Sequence, residues 1–139
     1  NSLVVVLLYL LSTPAVADEE PDYKNLLTSL LSTSVDVLGK SIVYPTKQPK
    51  VTAAVVVMPP GATTGLHLHE VPFFAYILEG EVTVDYGREG IKVYKKGMAF
   101  TEAMNWPHNG FNKTDGPVRI LAVFMGGEGK ANVEKLAAE

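Results

Sequence analysis

The sequence predicts an all-β domain, closed as a small barrel or packed as two sheets, and three observations predict it. Beyond Lys40 the chain is a series of short runs rich in β-branched and aromatic residues. Glycine, proline and asparagine punctuate those runs at close intervals, and several alternate apolar and polar side chains with the period of two of a half-buried strand. Eight or so such antiparallel strands leave edges exposed unless they close or stack.

Taken in order, Leu26, Leu27, Leu30 and Leu31 recur at helical spacing within residues 25–31, which predicts a short amphipathic helix serving as a packing lid. Strands are expected near 41–44, 51–58, 66–70, 73–78, 82–86, 92–94, 98–102, 107–112 and 118–125. Pro59-Pro60-Gly61 ends one strand abruptly, Glu79-Gly80-Glu81 joins two strongly β-forming runs, and Lys96-Gly97 precedes another. The run from Val82 to Tyr86 alternates as a strand with one buried face should. Ile120-Leu121-Ala122-Val123-Phe124 is almost continuously apolar and is expected to be a central strand. The tail, 132–139, reads as a helical turn or a fraying end with no function of its own.

One core is expected from a chain of 139 residues. Ahead of it, residues 3–11 form an apolar run followed by Ser12-Thr13-Pro14 and the small residues Ala15-Val16-Ala17, the layout of a secretory signal peptide. The run is too short for the roughly 20 apolar residues of a bilayer span. Export to the periplasm is therefore expected, with cleavage after Ala17 and no membrane span afterwards. Because Asn1 is preceded by neither Met nor a basic region, the leader reads as one whose first residues are missing. The resulting division is 1–17 signal peptide, 18–40 helix and lead-in, 41–126 barrel and 127–139 tail.

Composition narrows the chemistry. Charged residues make up 19% of the chain, the net charge is -3, and no run of like charges occurs, so neither nucleic acid nor an anionic membrane surface is an expected partner. A small molecule or a protein is. The absence of cysteine removes disulfides, thiolate zinc sites and cysteine nucleophiles together, leaving imidazole, carboxylate and water as metal ligands. With no Gly-Lys-Ser/Thr phosphate loop and no Gly-x-Ser-x-Gly elbow, nucleotide hydrolysis and acyl transfer are not expected.

The histidines are His67, His69 and His108. Two residues apart on a strand, His67 and His69 present their imidazoles on one face, and His108 lies where a barrel can bring it to the same interior point. By itself a His-x-His pair is weak evidence for a metal and reads more readily as two polar residues on a solvated strand. The wider pattern is more specific: Gly61, five residues, His67-Leu68-His69, then Tyr76-Ile77-Leu78-Glu79-Gly80, and later Gly97, His108 and Asn112.

This pattern resembles the two motifs of the cupins, and the runs His69-Glu70-Val71-Pro72-Phe73-Phe74 and Trp106-Pro107-His108-Asn109-Gly110 resemble those of small bacterial cupins. The resemblance covers roughly residues 51–125. It implies a double-stranded β-helix, or jelly-roll barrel, with one divalent metal ion (Fe, Mn, Zn, Ni or Cu) held by His67, His69 and His108. It also implies a homodimer.

Two departures from the cupin pattern stand out. Phe73 occupies the position where a glutamate usually supplies a fourth ligand, and Ala103-Met104-Asn105 replaces a Pro-x-Gly turn, although Asn105 can itself enter the left-handed conformation. Of the carboxylates that could substitute, Glu102, ending the strand before His108, is favoured over Glu70, which follows His69 and faces the other way. Three neutral imidazoles leave the ion's full +2 charge uncompensated, which favours an anionic, oxygen-bearing ligand at the open positions. Cupins with three histidines and no glutamate include iron-dependent dioxygenases, so a small-molecule oxygenase or isomerase is the leading reading. A non-catalytic exported module that binds a small ligand or metal is the alternative.

Phe73, Tyr76 and Trp106 are candidates to line the pocket, with core packing the competing explanation. The competing, less favoured reading of the histidines is no more than a satisfied polar cluster in the barrel. Asn112-Lys113-Thr114 is a glycosylation sequon, but a local backbone-bonding role for Asn112 is expected.

Overall fold

The computed structural model describes residues 23–137, so the expected signal peptide, 1–17, lies outside the described residues. No helix among the described residues is long and apolar enough to cross a membrane. Among the described residues nine strands carry the fold: β1 (Pro49–Met58), β2 (His67–Leu68), β3 (Phe73–Glu79), β4 (Glu81–Asp85), β5 (Ile91–Lys95), β6 (Ala99–Thr101), β7 (Asn109–Phe111), β8 (Val118–Gly127) and β9 (Glu134–Lys135). They form a four-stranded sheet ordered β1-β8-β3-β6, a three-stranded sheet ordered β5-β4-β7, and a β2-β9 pair, all antiparallel.

The sheets face each other across a core that follows from strand periodicity. Ala75 and Ile77 of β3, Val82 and Val84 of β4, and Ile120 and Ala122 of β8 all point inward and are buried. The apolar run around Ile120 lies, as expected, in the middle of its sheet, between β1 and β3. On β4 the outward Thr83 is buried too, since this strand is flanked on both sides by β5 and β7. Gly80 alone connects β3 to β4, at φ 77°. A Cβ there would lie 2.5 Å from the Pro117 carbonyl oxygen, so this corner requires glycine both for its backbone angle and for the close approach.

Three expectations are corrected. Residues 25–31 do not form a lid helix: a single 3-10 turn, Tyr23–Leu26, precedes irregular chain, and Leu26, Leu27, Leu30 and Leu31 are exposed. A helix that short owes its stability to packing its apolar face, and here that face meets no partner among the described residues. Residues 41–44 make one bridge, Val35 to Ser41, and no strand, and Pro45, which has no N–H to donate to a ladder, follows. As far as residue 137, where the described residues end, the tail neither coils nor frays: β9 pairs with β2, placing His67 opposite Lys135 and Leu68 opposite Glu134.

The lead-in is fixed differently from expectation. Asp36 is buried, its Oδ1 accepting the amides of Leu38 and Lys40 and its Oδ2 the amide of Met104 (3.1 Å), which ties residues 36–40 to the segment just ahead of His108. In that segment Asn105 does adopt a left-handed φ of 51° and donates its amide to the His69 carbonyl (2.8 Å). Asn112 takes the backbone-bonding role: its Nδ2 donates to the carbonyls of Met58 and Gly116, and its Oδ1 accepts from Thr114. Fully buried in this way, it offers no surface for a glycan.

Candidate metal centre

His67, His69 and His108 converge inside the barrel. Reciprocal backbone bonds, His67 N–H to the His108 carbonyl (3.0 Å) and the reverse (2.9 Å), set those two residues side by side. His69, two positions on, points to the same interior and is pinned against the 102–105 segment by its bridge to Met104. The ring centroids lie 4.4 Å (His67–His108), 5.0 Å (His67–His69) and 5.1 Å (His69–His108) apart. One potential ligand atom from each residue falls within 4.8 Å of the others, so the group can hold a metal ion.

Each imidazole is oriented by a backbone carbonyl. Nδ1 lies 2.8 Å from the Gly65 oxygen in His67, 2.6 Å from the Asn132 oxygen in His69 and 2.8 Å from the Trp106 oxygen in His108. A carbonyl only accepts, so Nδ1 carries the proton in each ring and Nε2 is left with its lone pair toward the interior. The Nε2 atoms of His69 and His108 are buried and have no hydrogen-bond partner. A satisfied polar cluster would not leave them so, whereas a metal site requires it. Burial lowers the pKa of all three rings below the ordinary 6.5, that of His69 to about 3. They are therefore neutral at pH 7, the state in which imidazole binds a cation.

Glu102 faces the same point. It is 4% exposed; its Oε1 accepts the Tyr86 hydroxyl (2.6 Å) and the Ala103 amide (2.8 Å), and its Oε2 lies 3.8 Å from His108 Nε2. Tyr86 spends its one proton on this bond, so Tyr94, 3.0 Å away, donates to Tyr86, and a hydrogen-bonded chain of three side chains runs from the second sheet to Glu102, beside the histidines. Burial raises the Glu102 pKa to about 7, against the opposing effect of its two hydrogen bonds. Glu70 points elsewhere: its Oε2 accepts the Ala131 amide (2.6 Å) and its Oε1 lies 3.8 Å from Lys130 Nζ, so it holds the C-terminal segment and does not simply sit in solvent.

A cavity of about 180 Å³ opens onto the histidines. Phe73 lines it, its ring 4.7 Å from that of His69 and stacked on Phe124 at 4.5 Å, where a ligating carboxylate was conceivable from the motif. Tyr76 and Trp106 do not line it. Tyr76 has the opposite parity on β3 from the inward Ala75 and Ile77, and Trp106 donates its Nε1–H to the Tyr86 carbonyl while Lys40 and Arg88 flank its ring. Sequence reasoning missed Tyr86, Asn132 and Lys135. Tyr86 had a signal, since Val82, Val84 and Tyr86 share one parity and a phenol on a buried face needs a partner.

The cupin domain family model matches residues 54–124. Among solved structures, the Lactobacillus farciminis oxalate decarboxylase formate complex aligns with a TM-score of 0.54 at 22% identity, over 62% of this chain and 26% of that one. A Bacillus subtilis oxalate decarboxylase with Mn(II) centres aligns with a TM-score of 0.51 at 23% identity, over 66% of this chain and 24% of that one. This chain thus spans about a quarter of the length of those enzymes, and at such identity the likeness concerns the fold. No curated protein matches the sequence.

Proposed function

The chain belongs to the cupin domain family, and from that premise we propose that it is a metal-dependent enzyme whose ion sits on Nε2 of His67, His69 and His108 and takes a small, oxygen-bearing anion at the positions left open. The observation that carries this reading is the pair of buried, partnerless Nε2 atoms on His69 and His108. Leaving ring nitrogens unbonded away from water costs about 1–3 kcal/mol each, and a bound cation offsets that. Iron, manganese, copper, nickel and zinc all accept imidazole; a divalent ion here supplies Lewis acidity, and a redox-active one adds electron transfer.

The chain's own groups supply the rest. Phe73 and Phe124 keep bulk water from one side of the ion, which strengthens its attraction for an anion. Glu102, with a pKa of about 7 and an oxygen turned to the site, is placed to give or take a proton at neutral pH. That group favours an oxygenase or isomerase over a module that only stores a ligand. The non-catalytic reading rests on the small cavity, about 180 Å³, which suits capture of the metal itself. The apolar leader pattern supports export to the periplasm, and the exposed valines of edge strand β1 support a homodimer.

Elemental analysis of the protein from Asp18 onward, purified without chelator beside a His67→Ala, His69→Ala variant, tests the centre. About one equivalent of a divalent transition metal is expected in the parent and little in the variant. If neither protein holds metal after anaerobic reconstitution, the histidines are structural and the enzyme reading falls. Metal without turnover across a panel of small oxygenated acids would select the non-catalytic module.

A further inference from the structure

The C-terminal segment is built into the site. Its anchors run along its length: the Ala131 amide to Glu70 Oε2 (2.6 Å), the Glu70 amide to the Ala131 carbonyl (3.3 Å), His69 Nδ1 to the Asn132 carbonyl (2.6 Å) and the Leu136 amide to the Leu66 carbonyl (3.0 Å). Between the last two lies β9, with Lys135 directly opposite His67. Residues opposite each other in an antiparallel pair project from the same face. His67 projects into the cavity, so Lys135 does too, as does Val133 two positions earlier; both line it.

Apart from the histidines, the ionisable side chains lining the cavity are Glu102 and Lys135. Glu102 is buried and engaged by Tyr86 and Ala103, whereas Lys135 is exposed and its ammonium has no ion pair or hydrogen bond among the described residues. An unpaired ammonium at the mouth of a cavity meant to hold a dication is repelled by that ion, and an anion between the two removes the conflict. The rest of the wall, including Val56, Phe73, Ile120 and Phe124, is apolar. A cavity of about 180 Å³ lies below the roughly 300–1,000 Å³ of most ligand pockets, so it suits an ion and a small ligand.

Resting on the metal reading above, we infer that Lys135 is the anion anchor of the site and that the ligand is a small aliphatic carboxylate. One carboxylate oxygen takes an open position on the ion, the ammonium of Lys135 meets the charge from the mouth, and the short apolar part packs on the phenylalanines. β9 is then a specificity element, held at both ends so that Lys135 is placed before the ligand arrives.

The test loads the full chain with cobalt(II) and follows the visible absorption of the ion during titration with propionate, beside the uncharged propionamide. The parent is compared with Lys135→Met and Lys135→Arg at low ionic strength. Cobalt stoichiometry is expected to be equal in all three, which also reports that each has folded. Propionate affinity should fall at least about tenfold in Lys135→Met, the size of one charge-assisted hydrogen bond, and largely return in Lys135→Arg. Propionamide binding should not differ between them. If Lys135→Met takes up cobalt and binds propionate as the parent does, or if the cobalt-loaded parent gives no response to propionate, this inference is overturned while the metal centre stands. A parent that takes up no cobalt overturns both.

Discussion

At the scale of single residues, a backbone carbonyl at each Nδ1 decides what the three histidines can do. Because Gly65, Trp106 and Asn132 each offer only an acceptor, the rings are locked into one tautomer before any ligand arrives. The carboxylate beside them carries a testable consequence of opposite sign. Glu102 ionises at about 7 in the folded protein and near 4.5 in its ordinary state, so the metal-free fold keeps its full stability on this account below about 4.5 and loses it as pH rises through 7. His69, lowered to about 3 from 6.5, contributes stability that is complete above 6.5 and declines as pH falls toward 3. In Glu102→Gln only the histidine dependence remains. Urea midpoints of the metal-free proteins should therefore shift in favour of the variant between about pH 5 and pH 8; a gap that stays constant across that range would show that Glu102 is already ionised at pH 5. The pair His67 and His69 was legible from a spacing of two, and His108 from the motif after it. Asn132 and Lys135 were not, because their partners His69 and His67 are more than sixty residues away along the chain and only the β2-β9 pairing joins them.

Among the elements, strands with a strict period and a glycine corner were read correctly, and segments whose structure depends on a distant surface were not. β3, β4 and β8 declare themselves through alternation or a continuous apolar run. The leucines at 26–31 carry an equally good helical pattern but have no surface to cover, and a short helix does not form on pattern alone. β9 has two residues and no pattern; it exists because β2 offers an edge. The Glu79-Gly80-Glu81 corner permits a quantitative comparison. Gly80→Ala must hold an alanine at φ 77° and also place its Cβ 2.5 Å from a backbone oxygen, whereas Gly97→Ala meets nothing within 4 Å at φ 87°. The first should lose about 2–4 kcal/mol in urea unfolding and the second about 1 kcal/mol. Equal losses would mean that the β3-β4 corner can move away from Pro117 at no penalty.

Over the whole molecule, the two faces of the four-stranded sheet differ in a way that one chain does not explain. The inner face closes over the histidines, as Val56, Ile120 and Phe124 do. The outer face alternates with it, and the pairings Val51 with Met125, Val55 with Leu121 and Tyr76 with Leu121 gather an apolar surface on β1, β8 and β3. Val51, Val55 and Val57 are 70%, 46% and 54% exposed there, on a strand with one edge unpaired among the described residues. Exposed flat edges of this kind invite pairing with another strand, and a second copy of the same chain supplies one in self-complementary form. A stable contact needs about 800 Å² from each partner, an area a sheet face of ten-residue strands can provide. Light scattering coupled to gel filtration should then give twice the chain mass for the parent and the chain mass for Val55→Lys, with equal metal content in both, since Val55 faces away from the cavity. A parent that runs as a monomer at tens of micromolar would leave that face to be covered by something other than this chain.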